Sequence, residues 1–261
     1  MKTIILCGGL GYRLKEETEF KPKPMVQIGD MPILWHIMKI YAHYGFNDFI
    51  IALGYKGDQI KQYFLNQKHY SNNFSISTKT GKTLIHKGKK NENKNDNFKI
   101  TFVDTGEETL PGERILRVKN FIPKTDKYFM VTYGDGVADI DISKLVNFHK
   151  RQGTIGTITG VHPRSKYGLL KINQKLIAES FIEKPILKER TNGGFMVFKR
   201  EFFKYINPAE FEHEALKRLV SKKQLSVYSH DGFWHCMDTY ADVSDLNKIW
   251  KEDPRWKVWK D

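Results

Sequence analysis

Long apolar runs are missing from this chain. No stretch approaches the length of a membrane-spanning helix. The N-terminal run "TIIL" ends within a few residues at Gly8 and Gly9, which is too short for the core of a secretory signal. No membrane partner and a cytoplasmic location are therefore expected. Cysteine is nearly as scarce. Cys7 and Cys236 allow at most one disulfide, and no Cys-x-x-Cys or Cys/His spacing suggests a zinc site, so reduced thiols are expected. Acidic residues are in deficit, 30 against 43 Lys and Arg, for a formal net charge of +13. Such a surplus raises the question of nucleic acid. Much of it is scattered, however, or lies in the Lys/Asn-rich stretch "HKGKKNENKNDNFK" (86–99), which reads as a solvated loop. No recognition-helix pattern or RNP-like aromatic motif accompanies it, so no nucleic-acid partner is expected. A site for phosphorylated small molecules needs only a few of these cations.

What is present is enough apolar and aromatic material, 40% and 13% of 261 residues, to build a sizeable core. "TIIL" (3–6) reads as a buried strand, "PILWHIMKIYAHYG" (32–45) as a helix opened by proline and closed by glycine. "DFIIAL" (48–53) and "GDQIKQYFLNQ" (57–67) repeat the strand–helix alternation. It continues through "FKITFVD" (98–104), "ERILRVKNF" (113–121), "KYFMVTYGDG" (127–136) and "ISKLVNFHKRQG" (142–153), where Gly153 is the stop. Alternation of this kind predicts a parallel sheet with helices on both faces. Beyond it come shorter extended runs, "TIGTITGV", "YGLLKI", "AESFIE", "GGFMVF" and "LSVYSH", then two helices around 208–222 and 240–251. With no linker or repeat, residues 1–261 read as a single α/β domain. Its sheet is mostly parallel but mixed, with a 1–153 half and a 154–261 half.

Ligands of open α/β sheets bind at the carboxyl ends of the strands. "GGLGYRL" directly follows the first strand, where bare backbone N–H groups approach an anion without side-chain clash. The dinucleotide fingerprint fails here, since Leu14 stands where the third glycine belongs, and no Gly-Lys-Ser/Thr completes a Walker A loop. What remains is G-G-x-G-x-R-L followed by K-P-K-P. Taken singly, the glycines read as an ordinary strand-to-helix turn and Lys23 as a loop lysine. Together, in this order, they resemble the nucleoside-triphosphate loop of the sugar-phosphate nucleotidylyltransferases.

The resemblance runs from Met1 to Trp259, through "TYGDGVADIDI", "FIEKP", "TNGGFMVF" and "GFWHCMDT". It implies a Rossmann-like three-layer α/β/α nucleotidyltransferase fold. It further implies nucleotide binding by Leu6, Gly8, Gly9, Gly11, Tyr12, Arg13, Lys23, Gly112 and Arg114, with Arg13 and Lys23 catalytic. Asp135 and Asp238 are the implied Mg²⁺ ligands; Asp139 and Asp141 read better as turn or cap residues. The sugar phosphate is expected at Tyr133, Glu183, Lys184, Asn192 and Gly193. Within the family the chain is most similar to the branch that uses CTP and glucose 1-phosphate, which "FVDTGEETLPGERILRV" and the segment "SNNFSISTKTGKTLIHKGKK" carry. Four departures stand out: Tyr12 for threonine, Pro111-Gly112-Glu113 near the nucleotide, "HPRSKYG" (162–168) near the acceptor, and "FEHEALKRL" (211–219) for a segment that starts with Trp. The second places a carboxylate beside the nucleotide. These keep open a different phosphorylated acceptor or triphosphate, and behind it a catalytically silent nucleotide-sensing subunit. A homo-oligomer is implied, with aromatic positions in 70–100 available for an interface.

Overall fold

The computed structural model describes residues 1–70, 72–86, 96–208, 210 and 212–260. Most of the Lys/Asn-rich stretch read as a loop, 87–95, lies outside the described residues. The central sheet holds β1 (Thr3–Cys7), β2 (Asp48–Leu53), β3 (Lys99–Asp104), β4 (Tyr128–Tyr133), β5 (Gly156–Val161), β6 (Thr191–Lys199) and β7 (Leu225–His230). Their spatial order is β7-β5-β6-β4-β1-β2-β3. β1 pairs in parallel with both β2 and β4, setting Ile5 opposite Ile51 on one side and Thr132 on the other. β6 runs antiparallel to β4 and to β5, so it joins the parallel β1–β4 block to the β5/β7 pair.

All five residues of β1 are buried, as a central parallel strand covered on both faces requires. Six longer helices supply the cover: α1 (Ile33–His43), α2 (Gly57–Tyr70), α3 (Pro111–Arg117), α4 (Ile142–Gln152), α5 (Glu212–Ser221) and α6 (Tyr240–Glu252). The strand period of two separates two cores. Ile5 and Cys7 join Ile37 of α1, Leu145 of α4 and Leu246 of α6 on one face. Ile4 and Leu6 join Ile115 of α3 and Leu219 of α5 on the other. The result is the expected three-layer, mostly parallel mixed-sheet fold. At the C-terminal end, Trp250, Trp256 and Trp259 close around His36, whose Nε2–H donates to the Ile28 carbonyl at 2.9 Å.

Local chemistry sets the element ends. Asp141 caps α4 by accepting the Lys144 N–H at 2.9 Å, and Gly153 stops it at φ 68°. Asp96 corrects the reading of 86–99 as solvated. Its side chain is 6% exposed and takes the Trp35 indole N–H at 2.5 Å and the Lys39 ammonium at 2.9 Å, pinning the loop's end to α1.

His149 of α4 is fully buried, with Nδ1 2.7 Å from the Thr157 hydroxyl and Nε2 without a partner among the described residues. Burial, helped by the Lys199 charge, pushes its pKa down to about 4. The unfolded chain therefore takes up this proton first as pH falls below about 6.5, and folding stability drops between there and pH 4, by about 3 kcal/mol at most. Denaturant midpoints measured across that window should show this slope in the wild type. His149→Gln should remove it; an unchanged slope would assign it to other groups.

Candidate active site

β1 and β4 run side by side, so the loops after them open at the same edge of the sheet. After Cys7 the chain passes through Gly8–Gly11 into a single 3-10 turn, Tyr12–Leu14. Gly11 sits at φ 66°, and a Cβ there would come within 2.7 Å of Thr18 Cγ2. Thr18 in turn directs its hydroxyl at the Gly11 and Leu14 carbonyls, which locks the loop's exit. Gly9 faces open space, whereas a Cβ on Gly8 would fall 2.1 Å from the Arg114 guanidinium. Gly8 is thus bare to admit an arginine from beneath, and it is Gly9 that leaves room above.

Arg114 is 3% exposed. Its guanidinium donates to the carbonyls of Gly8 (2.9 Å), Leu53 (3.1 Å), Gly106 (2.6 Å) and Glu107 (2.9 Å), and to the Thr105 hydroxyl (2.7 Å). One side chain therefore ties the ends of β1 and β2 to the 105–107 loop. Desolvation lowers its pKa, and the nearby Arg117 charge adds to this. Glu113, expected to bring a carboxylate to the nucleotide, instead pairs with Arg117 one helical turn on, at 2.7 and 3.1 Å. In that part of the cleft the lining carboxylates are instead Glu107 and Glu108, across from Asp135 and Asp238.

The cleft itself has a volume of about 610 Å³ and is walled by residues 6–13, 23–24, 107–111 and 133–135 with Arg114 and Asp238. That is the size of a small-molecule site. Tyr12 and Arg13 stand at its rim, with 78% and 72% of the Tyr12 residue and the Arg13 side chain exposed. Pro22 holds extended backbone at φ −67°, and Lys23 opens a 3-10 turn with Pro24 buried behind it. The Lys23 ammonium thereby reaches 2.6 Å from Asp135 Oδ2 and 2.9 Å from Asp238 Oδ1. Arg13 lies 3.1 Å and Lys166 3.9 Å from the other oxygen of Asp238.

Two turns deliver the carboxylates. Asp135 follows β4 between two glycines, and a Cβ on Gly134 would press to 3.0 Å on the Leu6 carbonyl. The short ribbon of Gly136–Ala138 with Trp234–Cys236 carries Asp238 back to it, and the Met237 N–H donates to the Asp135 carbonyl at 2.8 Å. A capping box on α6 fixes the far side. Thr239 and Asp242 cap each other, and the Asp242 carboxylate also accepts the Asp238 N–H at 3.0 Å.

Burial alone would lower the Lys23 pKa, but the charges and hydrogen bonds of Asp135 and Asp238 outweigh it and hold the ammonium above its ordinary range. Asp238 shows the reverse balance. Burial raises its pKa, and Lys23, Arg13 and Lys166 together bring it below the usual carboxylate value. The site is thus a fixed arrangement of opposite charges at neutral pH. Two hard oxygen donors, partly buried and already clasped by a cation, fit a divalent metal. Cys236 Sγ lies within 4.8 Å of both carboxylates, and burial together with Asp135 and Asp238 raises its thiol pKa.

Of the residues expected at the sugar phosphate, Tyr133 lines the cleft, and Asn192 and Gly193 lead into Gly194 beside it on β6. Gly194, at φ 85°, lies against the Tyr133 ring; Asn192 Oδ1 accepts the Gly194 N–H at 3.0 Å, and Trp234 Nε1–H donates to the Gly193 carbonyl at 2.9 Å. Glu183 and Lys184 are not brought into that group. Both are exposed, at the end of the ribbon formed by Leu169–Ile172 and Ala178–Ile182, with Lys184 at φ 44°. Sequence reading passed over Lys166, Glu107 and Cys236. Cys236 had a usable signal, since it stands two residues before Asp238 in an extended run and so shares its face.

Residues 2–253 match the family model described as nucleotidyl transferase. The chain belongs to the nucleotidyl transferase family. It is 41% identical to the "probable glucose-1-phosphate cytidylyltransferase" of Bacillus subtilis (strain 168), over 99% of this chain and 100% of that one. It is 40% identical to glucose-1-phosphate cytidylyltransferase of Salmonella typhimurium, over the whole of both. In fold it is similar to the crystal structure of HddC from Yersinia pseudotuberculosis, with a TM-score of 0.67 and 22% identity over 95% of this chain and 98% of that one. The carboxylate pair suits the divalent-metal use of this family of enzymes.

Proposed function

We propose that this nucleotidyl transferase moves the cytidylyl group of CTP to glucose 1-phosphate, giving CDP-glucose and pyrophosphate. What carries the reading is the clasp of Lys23 between Asp135 and Asp238 at the mouth of the glycine loop. Full-length similarity to the two cytidylyltransferases supports the choice of substrates.

An acceptor phosphate oxygen attacks the α-phosphorus in line, and pyrophosphate departs from the opposite side. Such a transfer asks for positioning and charge stabilisation, not for a side-chain nucleophile. The backbone of Gly9–Gly11 offers N–H groups to the triphosphate, with Gly9 leaving the closest approach open. Lys23 neutralises charge growing around the α-phosphate, and Arg13, exposed at the rim and held by its ion pair with Asp238, receives the leaving pyrophosphate. Asp135 and Asp238 would hold Mg²⁺, which would supply Lewis-acid neutralisation of phosphate oxygens. Tyr133, Asn192 and Gly193 border the acceptor, and Glu183 and Lys184 present their charged side chains to it from the exposed ribbon.

A panel of four nucleoside triphosphates against sugar 1-phosphates, read as pyrophosphate release, tests this. Turnover should be fastest with CTP and glucose 1-phosphate. Brisk release only with another acceptor would retain the transfer and reject glucose. The exposed position of the 162–190 segment keeps that second outcome chemically open.

A further inference from the structure

Cys236 supplies a soft donor beside the two hard carboxylates Asp135 and Asp238. It lies at the end of Trp234–Cys236, opposite Gly136, which carries no side chain of its own. Strand alternation puts Sγ on the same side as the Asp238 carboxylate, and the turn after β4 brings Asp135 to both. The three donor atoms lie within 4.8 Å of one another. The Lys23 ammonium, at 2.6 and 2.9 Å from the two carboxylates, marks where a cation sits among them.

We infer that Asp135, Cys236 and Asp238 form a mixed sulfur–oxygen site that captures borderline-soft divalent ions, Zn²⁺ and Co²⁺, through the Cys236 thiolate. This deepens the reading of the carboxylate pair as the metal site of the transfer reaction. Bonds of about 2.0–2.2 Å from oxygen and about 2.3 Å from sulfur set a tetrahedral edge near 3.5 Å, which side-chain torsions reach from the present spread. On binding, the S–H bond breaks, an S–metal bond forms and the proton passes to solvent. Lys23 is displaced from between the carboxylates, and the fourth position is left to water or a phosphate oxygen. Mg²⁺, which prefers six oxygens, gains nothing from the sulfur. The thiolate therefore gives the cleft a preference for ions that block the Lys23 position over the ion that suits the transfer.

The test is titration of the chelator-stripped full chain with Co²⁺, followed through the thiolate-to-cobalt charge-transfer band in the near ultraviolet. The band is expected in the wild type and in Cys7→Ser, and is lost in Cys236→Ser and Cys236→Ala. Competition for Zn²⁺ against a chromophoric chelator should show the Cys236 variants weaker by at least the roughly 10–100-fold that loss of an outer hydrogen-bond partner costs at metal sites. Far-ultraviolet circular dichroism of the same samples confirms that the variants are folded. A wild type without the band, or a Cys236 variant that keeps it, would overturn the inference. Because the readout is spectroscopic, failure of the pyrophosphate assay leaves this result standing, and the reverse holds too.

Discussion

Replacing Lys23 with alanine should lower turnover by about 10²–10³, the loss that follows removal of one donor aimed at charge developing in a transition state. The ammonium is partly buried, held at 2.6 and 2.9 Å by two carboxylates, and kept charged by them. It enters the reaction already oriented, so little reorganisation is needed as charge builds on the α-phosphate. The loss should fall on kcat more than on KM for the triphosphate, because the glycine loop and Arg13 remain. Divalent-ion binding should be no weaker in Lys23→Ala, since the cation that competes for Asp135 and Asp238 is gone. That combination separates a chemical role from misfolding. Near-normal turnover would remove Lys23 from the mechanism.

Arg114 should matter in a different currency. Arg114→Met leaves four backbone carbonyls and the Thr105 hydroxyl without a charged donor in a buried setting. Hydrogen bonds to charged groups are worth about 1.5–3 kcal/mol each, and relaxation recovers part of the sum. A destabilisation of about 3–5 kcal/mol is expected, comparable to breaking a buried ionic network. For a chain of this size that lowers Tm by about 10 °C, readable in a thermal melt. Arg114→Lys should recover only a fraction, because a single ammonium cannot span acceptors on both strand ends and the loop. A variant with wild-type Tm but a raised triphosphate KM would show instead that the guanidinium serves the nucleotide directly.

The contrast between these two residues shows what the sequence makes legible. Spacing along one element is visible: the buried run at 3–6, the helix at 32–45, the glycine stop at 153 and the extended run at 48–53 all have their expected form. So is the order of motifs, and the family resemblance that this order carries is what names Lys23, Asp135 and Asp238 together. Direction in three dimensions is not visible. Glu113 and Arg114 are neighbours on one short helix, yet one turns outward to Arg117 and the other inward beneath Gly8. Asp96 looks solvated by its Asn and Lys neighbours, and only the packing of α1 reveals Trp35 and Lys39 waiting for it. Glu183 and Lys184 fit a motif, but the motif does not show that both are exposed at the end of a ribbon and outside the residues that wall the cleft. Cys236 reads from spacing only as a reduced thiol with no Cys or His partner, and its carboxylate neighbours come from the turn after β4, which spacing does not show.

The capping box behind Asp238 fixes a residue that comes very late in the chain. Its contacts with Lys23 and Arg13 span 215 and 225 residues. At a synthesis rate of about 5–20 residues per second, on the order of 10–40 s separates the appearance of Lys23 from that of its second carboxylate. During that interval the parallel block of β1, β2 and β4 can form, but Asp135 is the only acid available to the lysine. The whole span from Lys23 to Asp238 must therefore leave the ribosome before the cation clasp closes, and until then chain order alone keeps the clasp open.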